Sequence, residues 1–114
     1  MRNEPLVVEQ VEEGILRLVG PLTMSTLSPF ENAVRRVDGN VILDLSHVPY
    51  VDSAGLGCLV SAYTSYHKTG RSMVLSGVNE RVSKLLEITR LESLFLIFPT
   101  LGDALQALTS SAQA

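Results

Sequence analysis

Cysteine occurs once, at Cys58, so no intrachain disulfide can form and a disulfide-stapled secreted scaffold is excluded. Long apolar runs are missing as well. The longest, such as Leu94 to Phe98, fall far below the roughly 20 residues that cross a bilayer, and no membrane span is expected. Positive charge is in deficit. Nine Lys and Arg against twelve Asp and Glu leave a net charge of −3, without the bulk positive potential that holds a phosphate backbone, so nucleic acid is not an expected partner. Met1 leads into Arg2-Asn3-Glu4-Pro5 without the apolar stretch of a secretory signal, and a reducing cytoplasm is the expected compartment.

What remains is ample material for one core. With 114 residues, 46% hydrophobic and 18% charged, the chain is read as one folded domain over 1–114, with the small polar tail Thr109 to Ala114 expected to fray. Leu6 to Val11 and Ile15 to Val19 are β-branched runs on either side of Glu12-Glu13-Gly14 and predict a hairpin. After Gly20-Pro21, the spacing of Leu27, Phe30, Val34 and Val37 predicts a helix. Ser28-Pro29-Phe30-Glu31 reads as its capping box, although the helix could begin a turn earlier. Val41 to Leu45 is an almost unbroken apolar strand, suited to the centre of a sheet. A second helix follows through Leu56, Leu59, Val60, Tyr63 and Tyr66 and ends at His67-Lys68-Thr69-Gly70. Ser72 to Ser76 is the next strand; Val78, Val82, Leu85, Leu86 and Thr89 line the next helix. Leu94 to Phe98 reads as a last buried strand, and Thr100-Leu101-Gly102-Asp103 caps a final helix carrying Ala104, Leu105 and Leu108. The order is ββαβαβαβα. It specifies an α/β domain whose mixed, mostly parallel central sheet is packed by the crossover helices.

In open α/β sheets, sites lie beyond the carboxyl ends of strands, which directs attention to the segment after Val41 to Leu45. It reads Ser46-His47-Val48-Pro49-Tyr50-Val51-Asp52-Ser53-Ala54-Gly55-Leu56-Gly57. Asp52 and Ser53 are both good N-cap residues for the helix that follows, and Ala54, Gly55 and Gly57 leave its first turn bare. Two readings stand on the residues alone. Either the pair only caps the helix and the glycines permit close packing, or the Ser53 hydroxyl sits uncrowded at a helix N-terminus, where free N–H groups and the macrodipole favour a phosphoryl group.

The segment Asp44 to Gly57 closely resembles the signature of the STAS domain of bacterial anti-sigma factor antagonists. Gly20-Pro21-Leu22, Gly70 and Leu75-Ser76-Gly77-Val78 extend the resemblance over most of the chain. It implies a STAS-like fold and a phosphorylation-switched binding module. Ser53 matches the serine that a partner anti-sigma factor serine kinase phosphorylates, and a serine phosphatase would reverse the modification. In the unphosphorylated state such proteins bind the kinase and free a sigma factor. Thr23, Asp52, Ser53, Ala54, Gly55, Leu56, Gly57 and Ser61 are the expected partner-binding residues, with Cys58 beside them and Leu56 partly core. Relatives carry serine or threonine after the target serine, and an acid after Gly-x-Leu, where this chain has Ala54 and Thr23. A neighbouring phosphoacceptor at position 54 is therefore excluded. The family also contains stressosome proteins and accessory subunits of ABC-type lipid transport, which form the alternative reading.

An enzyme finds less support. Ser53 lacks the flanking glycines of a Gly-x-Ser-x-Gly elbow, and His47 and His67 are placed where exposed histidines are usual, so no catalytic residue is assigned. Gly55-Leu56-Gly57 is a fragment of Gly-x-Gly-x-x-Gly, with Val60 in place of the last glycine, and no cofactor is expected. His47, His67, Cys58 and the scattered acids have no metal-ligand spacing. Arg81 and Lys84 form a basic pair able to steer an acidic partner.

Overall fold

A computed structural model describes residues 4–113, and the side chains of those up to 108. Strands β1 (Val7–Glu12) and β2 (Ile15–Val19) form the expected antiparallel hairpin. Its turn depends on Gly14, at φ +80, a conformation that costs glycine nothing. Helix α1 (Leu27–Arg36), strand β3 (Val41–His47), helix α2 (Ser53–Lys68), strand β4 (Met73–Ser76), helix α3 (Glu80–Ile88), strand β5 (Leu96–Phe98) and helix α4 (Leu101–Gln113) complete the chain. The sheet order is β1-β2-β3-β4-β5, and β2 to β5 are parallel.

Each crossover joins neighbouring strands in the same direction. Connections of one hand then place α1, α2 and α3 on one face of the sheet. The side-chain alternation agrees: Leu16, Leu18, Val41, Leu43, Leu45, Met73 and Leu75 pack with Phe30, Val34, Leu59, Tyr66, Val82 and Leu86 in the main core. Ile15, Ile42 and Val74 point the other way and meet Ala104, Leu101 and Leu108 of α4. Val41 to Leu45 is buried throughout, as a central strand requires. The final helix is capped as its sequence predicts, with the Asp103 amide donating to Thr100 Oγ1 at 3.1 Å and the Thr100 hydroxyl to the Asp103 carboxylate at 2.9 Å. The tail expected to fray begins inside α4; its side chains from 109 on, and Ala114 entirely, lie outside the described residues.

Two elements differ from their sequence reading. The earlier helix start holds and the capping box Ser28 to Glu31 does not, because a single 3-10 turn, Met24–Thr26, precedes α1 and places Ser28 inside the helix. Thr26 decides this: its hydroxyl accepts from the Thr23 amide at 2.9 Å and donates to the Pro21 carbonyl at 2.8 Å, closing the turn one step earlier. The last strand is shorter and less buried than Leu94 to Phe98. Only Leu96–Phe98 pairs, at the sheet edge, with Leu96 57% exposed, while Phe95 turns back into the main core and meets the Tyr63 ring edge-on.

Asp44 is the charged group of the sheet interior. It lies on the α4 face, where its carboxylate accepts from Arg17 Nε at 3.0 Å, from the Ser46 hydroxyl at 2.7 Å and from the Ser46 amide at 3.0 Å. Burial pushes its carboxyl up, but the Ser46 and Arg17 hydrogen bonds outweigh that and hold it below the ordinary 3.8. A depressed carboxyl contributes stability that is complete above its ordinary pKa and lost as pH falls through the lower folded value. The denaturant midpoint should therefore drop steeply below about pH 4 in the wild type and less steeply in Asp44→Asn. Equal acid slopes for the two proteins would contradict this assignment.

Candidate functional site

The loops that leave β2 and β3 run side by side past the carboxyl ends of their strands. Backbone bonds zip them together: Leu22 N donates to Tyr50 O at 3.2 Å, Asp52 N to Leu22 O at 3.2 Å, and Gly20 N to His47 O at 3.0 Å. Leu22, Val48 and Val51 are buried beneath this seam. Gly55 makes the seam possible. A Cβ on it would stand 2.1 Å from the Leu22 carbonyl oxygen, whereas one on Gly57 would meet nothing within 4 Å. The two glycines of the motif thus have different physics: Gly55 permits a close approach, and Gly57 leaves helix surface bare.

Asp52 is the N-cap of α2, with extended backbone (φ −94, ψ −178). One carboxylate oxygen accepts from the Gly55 amide at 2.8 Å, and the other reaches across the seam to the Met24 amide at 3.1 Å. A single side chain therefore caps the helix and ties down the 23–26 turn. Ser53 follows as the first helical residue, exposed, and its hydroxyl makes no hydrogen bond among the described residues. As the first two helical residues, Ser53 and Ala54 have amides with no intrahelical acceptor, and the positive end of the α2 dipole faces the same place.

The expected partner residues separate into two groups. Ser53, Gly57 and Ser61 are all exposed and, four residues apart, form one strip along α2; Ala54, Asp52 and Thr23 are partly exposed at its head. Leu56 and Gly55 are buried and offer no side chain to a partner, the first because its helical position faces the core and the second because of the Leu22 contact. Cys58 is also buried, and burial together with the Glu31 carboxylate pushes its thiol up to about 11, far from a reactive thiolate. His67 stacks on Tyr63 roughly 21 Å along the helix from Ser53 at 1.5 Å per residue, and His47 Nδ1 lies 3.0 Å from the Ser46 hydroxyl. Among the described residues neither makes a hydrogen bond to Ser53. Among the described residues no three His, Cys, Asp or Glu side chains converge to hold a metal, and no helix is long and apolar enough to cross a membrane.

One feature beside Ser53 lies outside the sequence motif. A groove of about 760 Å³ runs between Tyr50-Val51-Asp52 and one face of α3 that carries Arg81, Lys84, Leu85 and Ile88. Their i, i+3, i+4, i+7 spacing was readable in the sequence as a mixed stripe. Leu85 alone read as core. The facing loop could be placed only once the sheet order was known.

Residues 4–104 match the family model of the STAS domain. The chain is 30% identical over 83 residues to the anti-sigma-B factor antagonist of Staphylococcus aureus, a match covering 69% of this chain and 77% of that one. It is 40% identical over 61 residues to the anti-sigma-B factor antagonist of Listeria monocytogenes, covering 54% of each. The solved structure of the Bacillus cell fate determinant SpoIIAA in its phosphorylated form superposes with a TM-score of 0.67 over 90% of this chain and 98% of that one, at 13% identity, a likeness of fold.

Asp52→Ala removes both bonds at once. It should lower stability by about 1–2 kcal/mol in denaturant unfolding and speed hydrogen exchange at the Met24 and Gly55 amides. Exchange changed at Gly55 alone would break the proposed link between the loops. The two glycines should also part company: Gly55→Ala is expected to cost at least about 2 kcal/mol through the Leu22 clash. Gly57→Ala should be neutral or stabilise by roughly 0.5–1 kcal/mol through helix propensity. Similar losses for both would refute their separate roles.

Proposed function

The chain belongs to the STAS-domain family of anti-sigma factor antagonists, and on that premise we propose that it binds an anti-sigma factor serine kinase while unphosphorylated, so releasing a sigma factor, and that phosphorylation of Ser53 ends the interaction. The observation that carries the proposal is the Ser53 hydroxyl: exposed, without a hydrogen bond among the described residues, and held at a helix N-terminus by neighbours rather than by itself. A kinase can reach it without unfolding anything. A phosphate there carries about −1.5 to −2 charges and meets free amides and a favourable dipole in the isolated domain. In a docked complex the same charge beside Asp52 is desolvated and repels any acidic partner surface. The existence of SpoIIAA, a structural neighbour, in a phosphorylated form supports the same chemistry on this fold.

The partner surface in this reading is the α2 strip of Ser53, Gly57 and Ser61, headed by Thr23, Asp52 and Ala54, with Gly55 and Leu56 holding it from beneath. The domain acts as substrate and ligand in the cytoplasm, the kinase supplies the ATP site, and a serine phosphatase resets the hydroxyl. Incubation with the kinase and Mg-ATP should add one phosphate by mass spectrometry and none to Ser53→Ala. Ser53→Asp should keep the wild-type unfolding midpoint and weaken kinase binding at least tenfold by calorimetry. Equal phosphorylation of Ser53→Ala would remove the assignment.

A further inference from the structure

We infer that the groove between the 50–52 loop and α3 is a second docking element for the same anti-sigma kinase, seating a large apolar side chain of the kinase next to one of its carboxylates. The inference rests on the functional reading above. Its floor is apolar: Val51 and Val82 are buried, Leu85 is half-buried, and Ile88 stands 71% exposed at the open end with nothing covering it. An exposed isoleucine on an ordered helix, beside a cavity of about 760 Å³, is surface that a partner side chain can dry.

The charges at the rim select the partner's sign. Arg17–Asp44 is the only ion pair among the described residues, so Arg81 and Lys84, both exposed, have no carboxylate partner. The Arg81 guanidinium lies 5.1 Å over the Tyr50 ring, a cation–π contact that holds it at the mouth of the groove without neutralising it. The two acids there are engaged differently. Both Asp52 oxygens accept backbone amides, and Glu80 sits in the first turn of α3, where the helix dipole favours a negative charge. The cations are thus left to an incoming carboxylate.

Continuity with the Ser53 surface identifies whose carboxylate it is. Asp52 is at once the wall of the groove and the residue before Ser53, so the groove borders the Ser53 surface and a partner seated over Ser53 is next to it. The groove then adds apolar contact and orientation next to Ser53. Steering by the paired cations should appear in the association rate.

The test measures the kinase against the wild type, Ser53→Asp, Ile88→Ala, and an Arg81→Glu, Lys84→Glu double variant, all exposed positions. Expected results are affinity losses of at least fivefold for Ile88→Ala and tenfold for the double variant, with unchanged unfolding midpoints and a flatter dependence of association rate on ionic strength. Wild-type affinity in both groove variants, with Ser53→Asp still weakened, overturns the groove and leaves the functional proposal standing. A wild-type chain that binds no anti-sigma kinase overturns both. Two further arms identify the wrong occupant. Binding to phosphatidylglycerol vesicles that is lost in the groove variants, or a wild-type dimer by sedimentation that Ile88→Ala dissolves, with kinase affinity untouched in either case, overturns the assignment to the kinase.

Discussion

The Asp52 carboxylate is the contact on which the geometry of the candidate site depends. Two loops from adjacent parallel strands end near one another for topological reasons, but nothing in topology sets their separation to within a hydrogen bond. The backbone bonds through Leu22 set it, and Asp52 fixes it further by dividing its two oxygens between Gly55 of its own helix and Met24 of the other loop. The Leu22 carbonyl then fills the space that a Gly55 side chain would need. Capping and loop docking are one event in this structure. A carboxylate with only the capping bond would leave the 23–26 turn held by Thr26 alone.

A consequence is that Ser53 contributes nothing to its own placement. Its backbone is positioned by the cap before it and the glycine contact after it, and its hydroxyl is spare. This separation of support from the free hydroxyl is what would let the proposed modification leave the fold intact. The layer arrangement extends the same principle. With α1 to α3 on one face and α4 alone on the other, the strand-end loops of β2 and β3 meet beside α3, and Asp52, the residue before Ser53, lines the groove with Arg81 and Ile88.

The parts of this surface that are local in sequence were legible there. An aspartate-serine pair between an apolar strand and a helical stripe is itself an N-cap, and the cap formed where the residues indicated. The hairpin and the central strand were readable because their periodicities are strong and their turn carries glycine. The 3-10 turn was not. Ser28-Pro29 and Thr23 to Thr26 offer comparable capping chemistry, and the choice is made by the Pro21 carbonyl, a partner five residues back that periodicity does not register. Leu94 to Phe98 misled for a related reason: a run of apolar residues reports burial without saying where the burial occurs. Phe95 is buried against Tyr63 in a turn, while Leu96, in the strand, is exposed at an edge. Close packing, one of the two readings the glycines allow, holds for Gly55, which contacts a carbonyl from another loop. No single-sequence pattern separates it from Gly57 two residues on.

The difference between a capping serine and a switching serine comes down to what the hydroxyl is already doing. A serine whose Oγ caps its helix must rearrange that bond to make room for a phosphate, so the modification would alter the cap of the free domain as well as any complex. Here Asp52 takes the capping role, and Ser53, one position later, is relieved of it. Phosphate added there breaks no internal bond and gains the helix dipole, worth roughly 0.3–1 kcal/mol at an exposed end. Its cost arises only when a partner desolvates it. Since an equilibrium moves only by the difference between a group's interactions in two states, a hydroxyl idle in the free state and covered in the bound one places nearly the whole effect of the phosphate on binding. The order Asp-Ser, cap first and idle hydroxyl second, is the sequence feature that makes this division possible.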